Sequence, residues 1–232
     1  MIQNKRDLGG IRTKDGRVIR PGRLIRSAHL FQAEEEDLAG IATVIDLRTP
    51  GERGEAPDRT FNREYLPMPV FDDVKAGISR EKKAQERKIP DMAYLYGRLV
   101  RECTGSFAAV LRAIMDHDFS AGAVLWHCTE GKDRCGITAA LVLEMLGADR
   151  DVILEDYLKT NIVNLPKAIR VRERLAAARG EEFAESVYRA YLADERYLRA
   201  AWDAMGDNYC TEQLGIGADE IEAFREKMLE NA

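Results

Sequence analysis

An α/β layered domain is the fold class this sequence predicts. Short β-branched runs between turn signals fill its first quarter. A strand-length apolar run, Ala123-Val124-Leu125-Trp126, then lies between two helical patterns, and amphipathic helix takes over towards the C-terminus. Strands that alternate with helices bury a sheet between helical layers.

The elements follow in order. Lys14-Asp15-Gly16-Arg17 carries an Asp-Gly turn between Ile11 and Val18-Ile19, which predicts a small hairpin. Residues 23–27 form a second short extended segment. Ala42-Thr43-Val44-Ile45-Asp46-Leu47 is a β-branched run of strand length, and Thr49-Pro50-Gly51 reads as its end. Glu64-Tyr65-Leu66-Pro67-Met68-Pro69-Val70 reads as extended. Its two prolines confine it to a sheet edge or a loop, because proline has no N–H for a central ladder. Residues 71–92 are dense in charge of both signs, the pattern of a solvated helix or loop. Ser106 is the expected N-cap of a helix whose apolar face is Phe107, Val110, Leu111, Ile114 and Met115. Residues 122–126 read as a buried strand and 136–146 as a buried helix, stopped by Gly147. Asp149 is the expected cap of a helix over 152–159. Residues 166–205 and 218–229 are mostly amphipathic helix. With neither an internal repeat nor a low-complexity linker, one domain over 1–232 is expected, its part from 165 onward helical.

Composition bounds the function. The 232 residues hold 35 Lys+Arg against 40 Asp+Glu, a net charge of −5, with a pI of about 5.4. A dedicated nucleic-acid binder normally carries a basic excess, so that class is disfavoured. Apolar residues at 45% and charged residues at 32% are an ordinary globular mixture. A chain this long buries roughly 70–75% of its unfolded surface and needs no disulfide staples. Its four cysteines, at 103, 128, 135 and 210, make no dense disulfide framework, so a reducing compartment is the default. Three histidines, without HExxH or paired CxxC, argue against a structural zinc site. The first seven residues lack the apolar core of a secretory signal. The longest apolar runs, 121–126 and 137–143, are too short to cross a bilayer. A cytoplasmic protein is the simplest expectation, with signal-less export left open.

The chemistry concentrates in one stretch, Trp126-His127-Cys128-Thr129-Glu130-Gly131-Lys132-Asp133-Arg134-Cys135-Gly136. A buried strand delivers a cysteine into a short polar loop, and a helix begins at its far end. The backbone N–H groups of Thr129, Glu130, Gly131, Lys132, Asp133 and Arg134 are placed to curl around one anion. The helix adds its unpaired N–H groups and about half a positive charge. That is a phosphate cradle. A thiol in such a field ionises more readily than a free one, so Cys128 is the expected nucleophile. Arg134 offers a planar fork for two phosphoryl oxygens, held through the transition state. The expected reaction has two steps, transfer of the phosphoryl group to Cys128 and its removal by water.

His127-Cys128-x-x-Gly131-Lys132-Asp133-Arg134-x-Gly136 resembles the active-site loop of cysteine-dependent protein-tyrosine phosphatases, and more closely that of the PtpB-like bacterial branch. Arg6-Asp7-Leu8-Gly9-Gly10, Arg23-Leu24-Ile25-Arg26-Ser27-Ala28, Asp46-Leu47-Arg48-Thr49 and Glu155-Asp156-Tyr157-Leu158 resemble further motifs of that branch. Together they span much of residues 4–161. The resemblance implies the cysteine-phosphatase fold: a central, mainly parallel sheet flanked by helices, with a helical lid for which residues 71–92 are the candidate. It implies no cofactor and no metal, and phosphoprotein or phosphoinositide substrates, with phosphotyrosine first and phosphoserine and phosphothreonine behind it. It associates Lys132 with acceptance of phosphoinositides. It assigns the general acid to Asp133, which is preferred to Asp72 and Asp73, two residues after an extended segment that could swing over the site.

Cys135 departs from the family pattern, which has a Thr or Ser there. A thiol donates weakly to the catalytic sulfur. It either traps an oxidised Cys128 as a disulfide or packs as a small apolar group. His127 and Arg48 read as structural supports, Asp46 as a local partner at the strand end, and Gly9, Gly10 and Ser27 as turn-shaping residues bordering the pocket. Two other functions stay open on sequence alone: a phosphate-binding module with little turnover, and a rhodanese-like sulfurtransferase, which the loop length and its Lys-Asp-Arg ending disfavour. The sequence gives no oligomeric state.

Overall fold

The computed structural model describes residues 1–71 and 91–232. The candidate lid, apart from its end residues, and with it Asp72 and Asp73, lies outside the described residues.

A five-stranded sheet has the spatial order β1 (Arg6–Asp7), β3 (Leu24–Ser27), β6 (Ala123–His127), β4 (Ile41–Asp46), β5 (Glu64–Pro67). The strands from β3 to β5 run parallel; β1 pairs antiparallel with β3 at one edge. The sheet is thus mainly parallel, as expected, with the proline-bearing β5 at the other edge. Every residue of β6 is buried, as befits a central parallel strand covered on both faces.

The period-two alternation of strands sorts the core into two layers. Leu24, Ile45, Val124 and Trp126 face one side with Phe107, Leu111 and Leu141. Ile25, Val44, Ala123 and Leu125 face the other, under Leu30, Ala33 and Leu38. The register brings Ser27, Asp46 and His127 level at the C-terminal ends of three neighbouring strands. In open parallel sheets the crevice beyond those ends is where ligands bind.

The expected hairpin shrinks to one bridge, Arg12 with Val18, around the turn in which Thr13 N–H donates to Arg17 O. Strand β2 (Val18–Ile19) instead pairs with β7 (Leu229–Glu230), at the far end of the chain. Thr49-Pro50-Gly51 does more than stop β4: it starts helix α1 (Pro50–Glu55). Thr49 Oγ1 accepts from Glu52 N–H, Glu52 reaches back to Thr49 N–H, and Pro50 occupies the first turn, where its missing N–H costs nothing. Helices α2 (Met92–Glu102) and α3 (Thr104–Asp116) are separated only by Cys103, so Ser106 lies inside α3 and is no cap. Helix α4 (Asp133–Leu146) starts three residues before the expected 136 and ends at Gly147, whose φ of 86° suits glycine. Asp149 caps α5 (Arg150–Leu158) as expected. Helix α6 (Thr160–Arg179) contains Pro166, which removes one backbone hydrogen bond from it. It folds back through Gly180 onto α7 (Glu181–Tyr191). Then come α8 (Glu195–Met205), which packs on α2, the short α9 (Tyr209–Glu212) and α10 (Ala218–Met228). Among the described residues, no helix is long and apolar enough to cross a membrane.

Candidate active site

Strand β6 ends at His127 and α4 begins at Asp133, so five residues make the turn between them. The carbonyls of that turn are held from outside. Thr129 O accepts from His29 N–H, Glu130 O and Gly131 O accept from the Asn4 amide at 3.2 and 3.1 Å, and Gly131 O accepts from Arg26 Nη2 at 3.0 Å. Lys132 O accepts from Gly136 N–H. In a trans peptide, C=O and the next N–H point opposite ways. The amides of Glu130, Gly131, Lys132 and Asp133 are therefore turned away from these partners, as an anion cradle requires. The N-cap position of α4, Lys132, makes no side-chain cap bond, which leaves the helix start open to a ligand. Gly131 has a φ of 65°, and a Cβ there would lie 2.5 Å from Ser27 O. Only glycine meets both demands.

Arg134 is fixed from two directions. Its Nη1 and Nη2 donate to Glu52 Oε2 and Oε1, both at 2.7 Å, and Nη1 also reaches Leu47 O at 3.2 Å. Thr129 Oγ1 donates to Glu52 Oε1 at 2.6 Å, so one carboxylate organises both ends of the loop. Burial opposes the charge on Glu52, but the Arg134 hydrogen bonds and charge, with those from Thr129 and the Thr49 amide, outweigh it and hold the carboxyl well below its ordinary range. Burial likewise opposes the Arg134 charge, yet Glu52 and the neighbouring Cys128 raise its pKa on balance. Cys128 is 2% exposed, so this is a covered site.

Lys132 and Asp133 engage a different set of partners. The Lys132 ammonium donates to Ala190 O and Leu192 O at the end of α7, stands 3.2 Å from Asp133 Oδ1 and lies over the Tyr197 ring. Asp133 Oδ1 accepts from Tyr96 Oη at 2.8 Å, and Tyr96 Oη is 2.6 Å from Tyr157 Oη. Burial and the Asp133 charge push both tyrosines well above their ordinary range, so they stay neutral. Glu130 takes Lys167 of α6 on both carboxylate oxygens, at 2.6 and 2.7 Å.

A buried ion network supports the loop from beneath. Asp156 of α5 accepts from Arg6 Nε at 2.7 Å and Arg26 Nη1 at 2.6 Å, and Arg26 in turn holds Gly131 O. Burial works against the Asp156 charge; Arg26 and Arg6 more than offset it, and its pKa falls below the ordinary value. On the other flank Arg48 is clamped by Asp46 and Asp58, each at 2.7 Å, and burial of Asp46 is offset by Arg48 to leave it at about 2. His127 Nε2 lies 3.0 Å from Asp58 Oδ2 without hydrogen-bond alignment. Asp46, Asp58 and His127 have their ligand atoms within 4.8 Å of one another, a spacing a metal could use. The carboxylates already hold the Arg48 guanidinium, so a cation is in place there. Cys135 is buried; its Sγ approaches Trp126 O at 3.6 Å and Ser27 O at 3.8 Å, and burial pushes its thiol up to about 11.

A family model described as the tyrosine phosphatase family matches residues 1–230. The chain belongs to that family. A putative tyrosine-protein phosphatase of Cupriavidus necator is 30% identical to it over 239 residues, covering 95% of this chain and 84% of that protein. The triple specificity protein phosphatase PtpB of Mycobacterium tuberculosis is 31% identical over 233 residues, covering 83% of each. TpbA of P. aeruginosa, a solved structure, aligns at 18% identity and a TM-score of 0.38 over 81% of this chain and 91% of that one. Between the two enzyme classes the loop alone left open, membership places the chain with the tyrosine phosphatases and their PtpB-like members.

For a tyrosine phosphatase, several residues outside the loop now have a visible place. Glu52 lies just outside the Thr49-Pro50-Gly51 stop read from the sequence; the capping-box spacing from Thr49 to Glu52 was the available clue. Asp156, Arg6 and Arg26 lie within motifs recognised by resemblance, but their joining is a tertiary fact. Tyr96, Asp58 and Lys167 carried no local signal.

Proposed function

We propose that this tyrosine phosphatase hydrolyses phosphomonoesters through a phosphocysteine on Cys128. The observation that carries the reading is the clamp of Glu52 on Arg134 and Thr129, which fixes the guanidinium and the start of the loop beside the cysteine. The Cys128 thiolate attacks phosphorus, and the P–O bond to the alcohol breaks. Asp133 gives its proton to the leaving oxygen, with Tyr96 fixing the carboxyl by its hydrogen bond. The Asp133 carboxylate then takes a proton from water, whose oxygen attacks phosphorus; the S–P bond breaks, inorganic phosphate leaves, and the thiolate and the Asp133 carboxylic acid are restored. Loop amides and Arg134 bear the charge that develops on the equatorial oxygens.

Phosphotyrosine is the first substrate class, with phosphoserine, phosphothreonine and phosphoinositides behind it. The name of the M. tuberculosis relative, a triple specificity phosphatase, supports a broad range. Lys132 bonds to the end of α7, so a part in lipid headgroup recognition requires it to exchange those carbonyls for phosphate. We also propose that residues 1–232 form one phosphatase domain and that Cys135 serves packing rather than redox protection, since its sulfur points at two carbonyls.

The test is a panel of phosphopeptides and phosphoinositides with wild type, Cys128→Ser, Asp133→Asn and Lys132→Ala. Cys128→Ser should abolish turnover, and Asp133→Asn should lower kcat by about tenfold or more, or 1.4 kcal/mol. One equivalent of phosphate trapped on Cys128 without further turnover would make the protein a binding module. A small effect of Asp133→Asn beside a large one of Asp72→Asn or Asp73→Asn would move the acid to that pair.

A further inference from the structure

Asp133 opens α4 with two unlike oxygens. Oδ1 accepts from Tyr96 Oη at 2.8 Å and lies 3.2 Å from the Lys132 ammonium. Among the described residues, Oδ2 has no hydrogen-bond partner. The side chain is 28% exposed, whereas Tyr96 and Tyr157 are buried. One oxygen is thus taken up by the protein and the other is left for a ligand.

The rings behind Oδ1 come from three helices. Tyr96 of α2 meets Tyr157 of α5 edge-on, with centroids 6.2 Å apart, and Tyr197 of α8 at 5.7 Å. A Cβ on Gly136 would lie 3.0 Å from two ring atoms of Tyr157, so that ring sits close against the first turn of α4. Counting protons then gives the direction of the bonds. Both tyrosines stay neutral, so each hydroxyl has one proton to donate. Tyr157 Oη is 2.6 Å from Tyr96 Oη and, among the described residues, has no other hydrogen-bond partner. Its proton goes to Tyr96, and the Tyr96 proton goes to Asp133 Oδ1. In the reverse order a protonated Oδ1 would donate to Tyr96 and Tyr96 to Tyr157. The Tyr157 proton would then have no acceptor within the core, where an unpaired donor is costly. The proton on Oδ1 would also stand beside the Lys132 ammonium, which can only donate.

We propose that Tyr96 and Tyr157 are positioning residues that keep Oδ1 an acceptor, so that the transferable proton of Asp133 sits on Oδ2. This rests on Asp133 as the general acid. When the leaving oxygen takes that proton, the O–H bond at Oδ2 breaks and Asp133 becomes a carboxylate. Oδ1 goes on accepting from Tyr96, so no bond in the chain has to reverse during the step. Oδ2 then takes the proton from water in the second step.

The experiment compares kcat/KM, which reports the first phosphoryl transfer, on two aryl phosphates. Phenyl phosphate has a leaving group that needs a proton; that of 4-nitrophenyl phosphate scarcely needs one. Tyr96→Phe should lower kcat/KM for phenyl phosphate by about tenfold and Tyr157→Phe by about threefold, each with a clearly smaller loss on 4-nitrophenyl phosphate. Each variant removes one oxygen and keeps the ring. Asp133→Asn should show the same selective loss in larger measure, and Tyr96→Phe added to it should bring no further loss on phenyl phosphate. Equal losses on both substrates, as a packing defect produces, overturn the proposal, and so does a further loss in the double variant. Wild-type behaviour of both tyrosine variants beside a selective loss in Asp133→Asn overturns it while leaving Asp133 as the acid. Absence of a selective loss in Asp133→Asn overturns the acid assignment itself, and the proposal with it.

Discussion

Glu52 does two jobs with two oxygens. It completes the capping box of α1 through Thr49 N–H, and it holds Arg134 and Thr129. In the proposed reaction Arg134 meets phosphoryl oxygens, and a guanidinium with that task cannot wander by an ångström without cost. Glu52→Gln keeps an acceptor for the cap and loses the charge; Glu52→Ala loses both. Glu52→Ala should therefore lower kcat/KM by about 10²-fold, with Glu52→Gln between it and wild type. Steady-state kinetics on a phosphotyrosine peptide would show this, and a loss below about threefold, well under 1 kcal/mol, would mean that Arg134 keeps its place without the clamp.

At the scale of the element, the loop between β6 and α4 is shaped by strand register. Ser27 and His127 are paired on adjacent strands, so the turn after His127 passes directly over the Ser27 carbonyl. Gly131→Ala would place a methyl group 2.5 Å from that oxygen at a φ of 65°. The left-handed conformation alone costs a residue with a Cβ about 1–2 kcal/mol, and the clash adds to it. The variant should unfold at lower urea, by at least about 2 kcal/mol, and hydrolyse poorly even where folded, because relief of the clash moves the amides. A fully stable, fully active variant would show that the loop backbone has another arrangement open to it.

Across the whole molecule, Asp156 joins the first strand, the third strand, the loop and α5 through Arg6 and Arg26. Its pKa is below the ordinary value in the folded state, despite burial, because of those two guanidinium groups. A carboxyl depressed on folding contributes stability that is complete above the ordinary carboxyl range and is lost as pH falls towards the folded value. The wild type should therefore lose stability on acidification from about pH 5 downward, and Asp156→Asn should show a shallower acid dependence. At neutral pH that variant leaves Arg26 buried without a counter-ion and should be less stable by roughly 3–5 kcal/mol. Urea unfolding at a series of pH values measures both effects; parallel pH curves for the two proteins would assign the acid loss to other carboxyls.

Local periodicity and local chemistry were enough to mark β4, β6, the buried helix after the loop and the Cys128-to-Arg134 run, because a buried strand and a phosphate cradle are each written in contiguous residues. Boundaries were less legible. Thr49-Pro50-Gly51 read as a stop and proved a start, since a turn signal and a helix cap use the same residue types. Ser106 lay inside a helix already begun, for α2 runs almost directly into α3. Which anion holds Arg134, which carboxylate sits between Arg6 and Arg26, and which carbonyls receive Lys132 were set only by tertiary structure. Those partners come from separate elements, and a charge carries no periodicity by which sequence could name its mate. The chain itself determined the proposed nucleophile Cys128, the Arg134 guanidinium and the glycine between them; the folded sheet decided how they are held, by levelling three strand ends under one turn.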